Sequence, residues 1–167
     1  MQHGFDWNGQ KLDGFLLCEK FDGCRAYWDG AQLWTRSGNV IPAPQWFLDA
    51  LPKGVHLDGE IWAGRGNFSQ ARSAVNFGGR HFTPQIQFVV FDAPHHAGTW
   101  SERVASVSKN ETVVPVEWFS TNDVHARFAA VKAGGGEGLI AHRNESQYKA
   151  GRTFDVLKIK HADQFAK

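Results

Sequence analysis

The chain has 167 residues, 42% of them hydrophobic, which is enough to bury a core and falls in the range of one compact domain. Charged residues make up 21% and the formal net charge is +1, which excludes a strongly basic nucleic-acid binder; any such surface has to be a local patch. No run approaches the roughly 18 apolar residues of a membrane-spanning helix, and the start, MQHGFDWNGQ, lacks the basic-then-apolar pattern of a signal peptide. A soluble, cytoplasmic chain with no membrane partner is expected, although an exported chain whose leader has been removed, a periplasmic one included, fits the same residues. Cys18 and Cys24 form neither a CxxC pair nor part of a Cys/His quartet, and they read as buried free thiols.

From Phe15 to Ile41 short strands alternate with turn residues, FLLCEKF, DG, CRAYW, DGAQ and LWTRSGN, which predicts an antiparallel meander. Pro44 opens a short helix over QWFLDAL, at a position that proline tolerates, and VHLDGEIWA returns to strand alternation. FSQARSAVNF, behind the glycine-containing loop AGRGN, predicts a helix, and the apolar run IQFVVFDA, too short for a buried helix, predicts a central strand. A helix around WSERVASV and a strand over TVVPVEW follow. NDVHARFAAVKAGGGEG gives the clearest helix, with Thr121 or Asn122 as N-cap, Val124, Phe128 and Val131 at i, i+4 and i+7, and a glycine stop. GLIAHR and DVLKIK close the chain as two strands, separated by a polar stretch holding Lys149, Gly151 and Arg152. Strands outnumber helices and no repeat occurs, so the fold class is α+β.

Lys20, in EKFDGCR, stands in a strand just before Asp-Gly, a turn that would hold its amine at the mouth of a sheet. By itself this pattern also fits an exposed hairpin lysine. Lys158 and Lys160, in VLKIK, lie two apart, which puts both on one face of a strand with Leu157 and Ile159 on the other; a solvated edge strand has the same pattern. Phe91 sits in an apolar run, where phenylalanine is ordinarily core. Asp22 and Asp58 read as structural or supporting carboxylates. Arg65, Arg72 and Arg80, with Lys149, are either a local basic surface or scattered solvated charges. The seven tryptophans read as core or rim, and the eight histidines, with no HExxH-like spacing, read as surface and loop residues.

Six segments occur in order: EKFDGCR (19–25), TRSG (35–38), LDGEIWAGRG (57–66), FVVFDAP (88–94), EGLIAHR (137–143) and VLKIK (156–160). Together they resemble the motif set of covalent nucleotidyltransferases. Their order and spacing resemble the ATP-dependent DNA ligases, and CEKFDGCRAYWDG with DGEIWAGRGNF is most similar to the small accessory ligases of bacteria. The resemblance runs from about Phe15 to Lys160. It implies one antiparallel-sheet, ATP-grasp-like nucleotidyltransferase core with flanking helices, occupying residues 1–167.

The same resemblance implies chemistry. Lys20 would take AMP from ATP onto its side-chain nitrogen, with Glu19, Arg25, Arg36, Glu60, Phe91, Lys158 and Lys160 binding the nucleotide. Glu60 would reach the ribose, Phe91 would stack on adenine, and Glu60 and Glu137 would serve a magnesium or manganese ion, which favours oxygen ligands. The partner would be nicked double-stranded DNA, with Arg36, Arg65 and Arg152 as candidate DNA contacts; Arg36 could serve the nucleotide instead. Sealing would follow in two further steps, in repair, replication or recombination, by a monomer that wraps the duplex. Amine attack needs a neutral lysine, whereas a free lysine titrates at about 10.4. The cations Arg25, Arg36, Lys158 and Lys160, implied around the same phosphate, lead to the expectation that Lys20 titrates below a surface lysine.

Family members continue past the LKIK strand into an oligonucleotide-binding-fold domain with a final basic motif. The chain stops seven residues after Lys160, so that domain is expected to be missing from it, and weak self-adenylation and weak nick joining with it. The competing readings are an mRNA-capping-type GTP transferase or RNA ligase, and a non-catalytic nucleic-acid-binding domain descended from a ligase.

Overall fold

A computed structural model describes residues 1–166. In chain order the strands are β1 (Gln2–Asp6), β2 (Phe15–Lys20), β3 (Cys24–Trp28), β4 (Leu33–Thr35), β5 (Leu57–Trp62), β6 (Gln87–Asp92), β7 (Val113–Pro115), β8 (Gly138–Arg143) and β9 (Gly151–Ile159). The helices are α1 (Gln45–Asp49), α2 (Phe68–Phe77), α3 (Trp100–Ala105) and α4 (Val124–Ala133). Where length suggests one compact unit, the chain makes two, each with its own apolar core. The first takes residues 1–21, 99–101 and 117 onward; the second takes 22–98 and 102–116.

The first unit is built on a four-stranded sheet in the order β1-β9-β8-β2. Its strands are antiparallel except at the β1 edge, which runs parallel to β9. Because a strand turns alternate side chains to opposite faces, Leu17, Leu139, Ala141, Leu157 and Ile159 fall together and are buried. Helix α4 covers that face with Phe128, flanked by Val124 and Val131, the three positions whose spacing predicts it. Its cap is not Thr121 or Asn122: Asp123 takes that place in a left-handed conformation, φ 57°, with no side-chain cap bond. Gln164 ties the two ends of the unit together, donating to the Trp7 and Lys158 carbonyls and accepting from the Lys160 and His161 amides.

The second unit is a five-stranded sheet in the order β4-β3-β5-β6-β7, antiparallel except for the β6–β7 pair. Ala26, Trp28, Leu57, Ile61, Phe88 and Val90 form one buried face, packed against Ala71, Ala74 and Val75 of α2 and Phe47 of α1. On β6, Asp92 is buried and receives a two-pronged contact from Arg103, whose Nε and Nη2 lie 2.8 and 3.2 Å from its two oxygens.

Two sequence expectations change. The meander fails at its first corner: β2 pairs with β8 in one sheet and β3 with β4 and β5 in the other, so Asp22-Gly23 is a passage between sheets and not a hairpin turn. Asp22 accepts bonds from the Trp62 indole and the Gly66 amide, each 3.0 Å long. A Cβ on Gly23 would fall on the Ile61 carbonyl oxygen, so only glycine fits there. The opening decapeptide, to which no element is assigned from sequence, supplies strand β1. Among the described residues, no helix is long and apolar enough to cross a membrane.

Burial raises the Asp92 carboxyl above its ordinary value, Asp58 nearby adds to the rise, and Arg103 opposes it. Arg103→Met strands that carboxylate in the core and is expected to cost about 3–5 kcal/mol at neutral pH, read from the urea midpoint. A raised folded-state pKa means the folded chain holds the proton more tightly, so the loss should shrink as pH falls towards and through that pKa, where a neutral Asp92 needs no counter-ion.

Candidate active site

Lys20 ends β2, and alternation places it on the sheet face opposite the α4-covered core. The registers Lys20 to Gly138, Cys18 to Ile140 and Ile140 to Lys158 carry this face across three strands. Lys20, Ile140, Lys158 and, one alternation on, Lys160 therefore share it. Gly138, opposite Lys20, adds no side chain between them. The Lys20 ammonium donates to Glu137 Oε1 at 2.8 Å, with the lysine side chain 23% and the glutamate 37% exposed, so the pair is open to a ligand.

Lys158 and Lys160 converge on one carboxylate, Asp6 Oδ1, at 3.9 and 3.3 Å. Burial pulls the Lys158 ammonium below the ordinary lysine value; Lys160, Lys20 and Arg152 push the same way, and Asp6 opposes them. Sequence reading missed Asp6, which lies in the strand it did not assign; its register opposite Lys158 is the feature that makes it part of this face. The side chain of Glu19 does not join the group: it alternates to the other face, opposite Leu139, with its Oε2 near Gly136. Arg152 is exposed on β9 with its guanidinium 5.4 Å from the Phe5 ring.

The second unit gathers Arg25, Asp58, Glu60 and Phe91 on the face of its sheet away from the core. Arg25 and Glu60 are register partners on β3 and β5. Arg25 grips the fully buried Asp58 through Nε and Nη2, each bond 2.7 Å, and its guanidinium lies 4.8 Å from the Phe91 ring centre. Asp58 is thus the supporting carboxylate it reads as, holding Arg25 flat. Phe91 is half-buried, unlike its neighbours Val90 and Asp92, and an aromatic ring with an open portion on a polar face suits stacking. Arg36, in the turn after β4, and Arg65, in the loop before α2, are exposed.

Cys18 is buried and Cys24 partly so, and both are free thiols, pushed up chiefly by burial. The histidines are not all surface residues. His142 is buried on β8, on the sheet face it shares with Ile140 and not on the α4-covered one, where it stacks on Trp100 with ring centres 4.2 Å apart and nearly parallel. No group of three or more His, Cys, Asp or Glu side chains suited to a metal occurs among the described residues.

No family model matches the chain. A DNA ligase of Haemophilus influenzae is 28% identical over 165 residues, covering 93% of this chain and 61% of the relative, so the chain spans less than two thirds of that protein's length. A solved Lig E DNA ligase, from a study of DNA binding with a minimal scaffold, is 30% identical with a TM-score of 0.81, covering 96% of this chain and 68% of its own. The Chlorella virus DNA ligase-adenylate shares the fold at a TM-score of 0.75 and 19% identity, covering 95% and 66%. The chain belongs to the ATP-dependent DNA ligases and carries their nucleotidyltransferase fold.

Proposed function

We propose that the chain is the adenylating catalytic domain of a DNA-joining enzyme, with Lys20 as the nucleophile. The observation that carries this reading is the Lys20–Glu137 contact at 2.8 Å on the sheet face that also holds Lys158 and Lys160. Lys20 gives its proton to the Glu137 carboxylate, and its lone pair attacks the α-phosphorus of ATP. A nitrogen–phosphorus bond forms, the bond to the bridging oxygen breaks, pyrophosphate leaves with the electron pair, and the second proton on the nitrogen passes to solvent. Lys158 and Lys160 take up the charge that gathers on the phosphoryl oxygens. Arg25 and Arg36 are assigned to the nucleotide, Glu60 to the ribose, Phe91 to the adenine face and Glu19 to the nucleotide through its strand.

Magnesium or manganese fits this donor set. Such an ion binds through one or two carboxylates, waters and substrate phosphates, so half-exposed Glu137 suits it and no larger ligand cluster is needed. Glu137 and Glu60 would hold it, and when bound it neutralises phosphoryl charge. AMP then passes from Lys20 to the 5′-phosphate of a DNA nick, and the 3′-hydroxyl displaces AMP to join the strand. Arg36, Arg65 and Arg152 are assigned to DNA phosphates. The enzyme acts as a monomer on nicked duplex, in the cytoplasm.

Intact-mass measurement after incubation with ATP and magnesium should show one added adenylyl group on the wild-type chain and none on Lys20→Ala. Glu137→Gln should slow that addition about 100-fold, the scale of a lost general base. GTP in place of ATP should give no addition; a GTP product would favour a capping-type transferase, and DNA binding indifferent to Lys20→Ala, with no adduct, a non-catalytic domain. Phe91→Ala should raise the half-saturating ATP concentration about tenfold, as loss of one stacking contact would.

A second expectation concerns pH. Lys158 is held below the ordinary lysine value, so the folded chain binds its proton less tightly than the unfolded one does. Its charge therefore costs stability below the folded-state pKa, and the cost is relieved as pH rises through that value towards about 10.5. Side-chain NMR of Lys158 should show deprotonation before an exposed lysine such as Lys53, and Lys158→Met should abolish the alkaline gain in stability. A Lys158 titration coincident with that of Lys53 would refute this account.

A further inference from the structure

Helix α2 and the single 3-10 turn behind it, Gly79–His81, enclose a groove of about 360 Å³ in the second unit that takes no part in the chemistry above. Ser69, Gln70 and Ser73 reach it from one stripe of the helix, and Arg80, His81 and Thr83 from the returning chain. The return depends on Gly78, which ends α2 at φ 62° so close to Pro42 that a Cβ would overlap the Pro42 carbonyl oxygen. With Gln85, three hydroxyls, two amides, a guanidinium and an imidazole thus line one groove, and no carboxylate does.

The charge of the segment is as one-sided as its pocket. No aspartate or glutamate occurs between Glu60 and Asp92, whereas Arg65, Arg72, Arg80 and His81 all fall there. In a chain with a net charge of only +1 this is a concentrated basic stretch. Beside the groove, Phe77 is 69% exposed, its ring 5.4 Å from that of His81. A hydroxyl- and guanidinium-lined cavity without carboxylates is complementary to a phosphate group. An aromatic ring left in water at its rim is complementary to sugar and base surface, which a free phosphate does not bring.

We propose that this groove seats a backbone phosphodiester of the DNA substrate, with Arg80 as the charged contact and Ser69, Ser73 and Thr83 as hydroxyl donors. The site rests on the DNA-joining reading only for the identity of the nucleic acid, a nicked duplex. Arg80 binds the phosphate and Phe77 lies against the sugar face next to it. The contact is independent of base sequence and fixes where the strand runs as it crosses α2.

The test is fluorescence anisotropy of a labelled nicked duplex titrated with the whole chain over a salt series. Arg80→Ala should weaken binding about tenfold at about 0.1 M salt, the scale of one lost hydrogen-bonded charge. It should also lower the slope of log affinity against log salt by about 0.9, the counterions of one phosphate. Ser73→Glu, which puts a carboxylate into the groove, should weaken binding at least as much, while Arg80→Lys should keep the slope. Lys53→Ala, an exposed charge elsewhere in the same unit, is the control for net charge, and circular dichroism checks that each variant folds. Wild-type affinity and slope in Arg80→Ala and Ser73→Glu would overturn the proposal, as would an equal loss in Lys53→Ala or failure of the wild-type chain to bind the duplex. So would displacement of the Arg80 side-chain NMR signal by inorganic phosphate with DNA affinity untouched by Arg80→Ala, which would make the groove a free-phosphate site. Intact mass separates the two readings. An adduct on Lys20 with Arg80-independent DNA binding sinks the groove alone, and Arg80-dependent DNA binding with no adduct sinks the ligase chemistry alone.

Discussion

Alternation along β-strands governs where Lys20, Arg25, Glu60 and Lys158 lie. In the first unit, burying Leu17, Leu139, Leu157 and Ile159 under α4 forces their neighbours Lys20, Lys158 and Lys160 onto the opposite face. A one-residue slip of β9 would exchange lysines for leucine and isoleucine, putting cations into the core. The hydrophobic term that stabilises the sheet therefore also holds the register of the cations. In the second unit the same rule sets Ala26, Ile61 and Phe88 inward and Arg25, Glu60 and Phe91 outward. Site and core are two readings of one pattern.

The costliest element of this arrangement is a pair of carboxylates. Asp58 on β5 and Asp92 on β6 are register partners at a bulge, and both are buried. Two buried anions side by side are tenable only if each has its own counter-ion, and each does: Arg25 clasps Asp58 and Arg103 clasps Asp92. Their influence extends to Tyr27, opposite Asp58 on β3, whose phenol is pushed up to about 12 by burial first and by Asp58 next. Arg25 consequently has a structural role whatever else it contacts. Removing it would leave Asp58 buried without its partner.

Most of the fold was legible in the sequence because it depends on local periodicity. The ten residues of α2 and the Val124, Phe128, Val131 stripe of α4 are stated by spacing alone, and Lys158 and Lys160 fall on one face as their separation requires. The misses share a cause, since each depends on a partner far along the chain. Strand β1 forms because β9 lies beside it, and MQHGFD has no strong alternation of its own. The Asp-Gly pair at 22 and 23 has hairpin composition, but Trp62 and Gly66 claim the Asp22 carboxylate and the Ile61 carbonyl excludes a side chain at Gly23. His142 is buried because Trp100 offers it a ring to stack on, which no local pattern announces.

The contact between Asp6 and the two lysines bears on how a phosphate could enter. Asp6 is 62% exposed, and its separations from Lys158 and Lys160, 3.9 and 3.3 Å, are long for strong ion pairs. Such exposed pairs contribute little net stability, because water solvates both partners nearly as well as they solvate each other. An anion of higher charge can therefore replace Asp6 at small cost, gaining two cations already held on one face by the packing of Leu157 and Ile159 behind them. Lys20 differs, since its bond to Glu137 is short and direct. A phosphate that displaces Asp6 leaves the Lys20–Glu137 pair in place. The two lysines of β9 and its end and the lysine of β2 thus lean on different carboxylates, and an anion exchange at the first pair can proceed without disturbing the second.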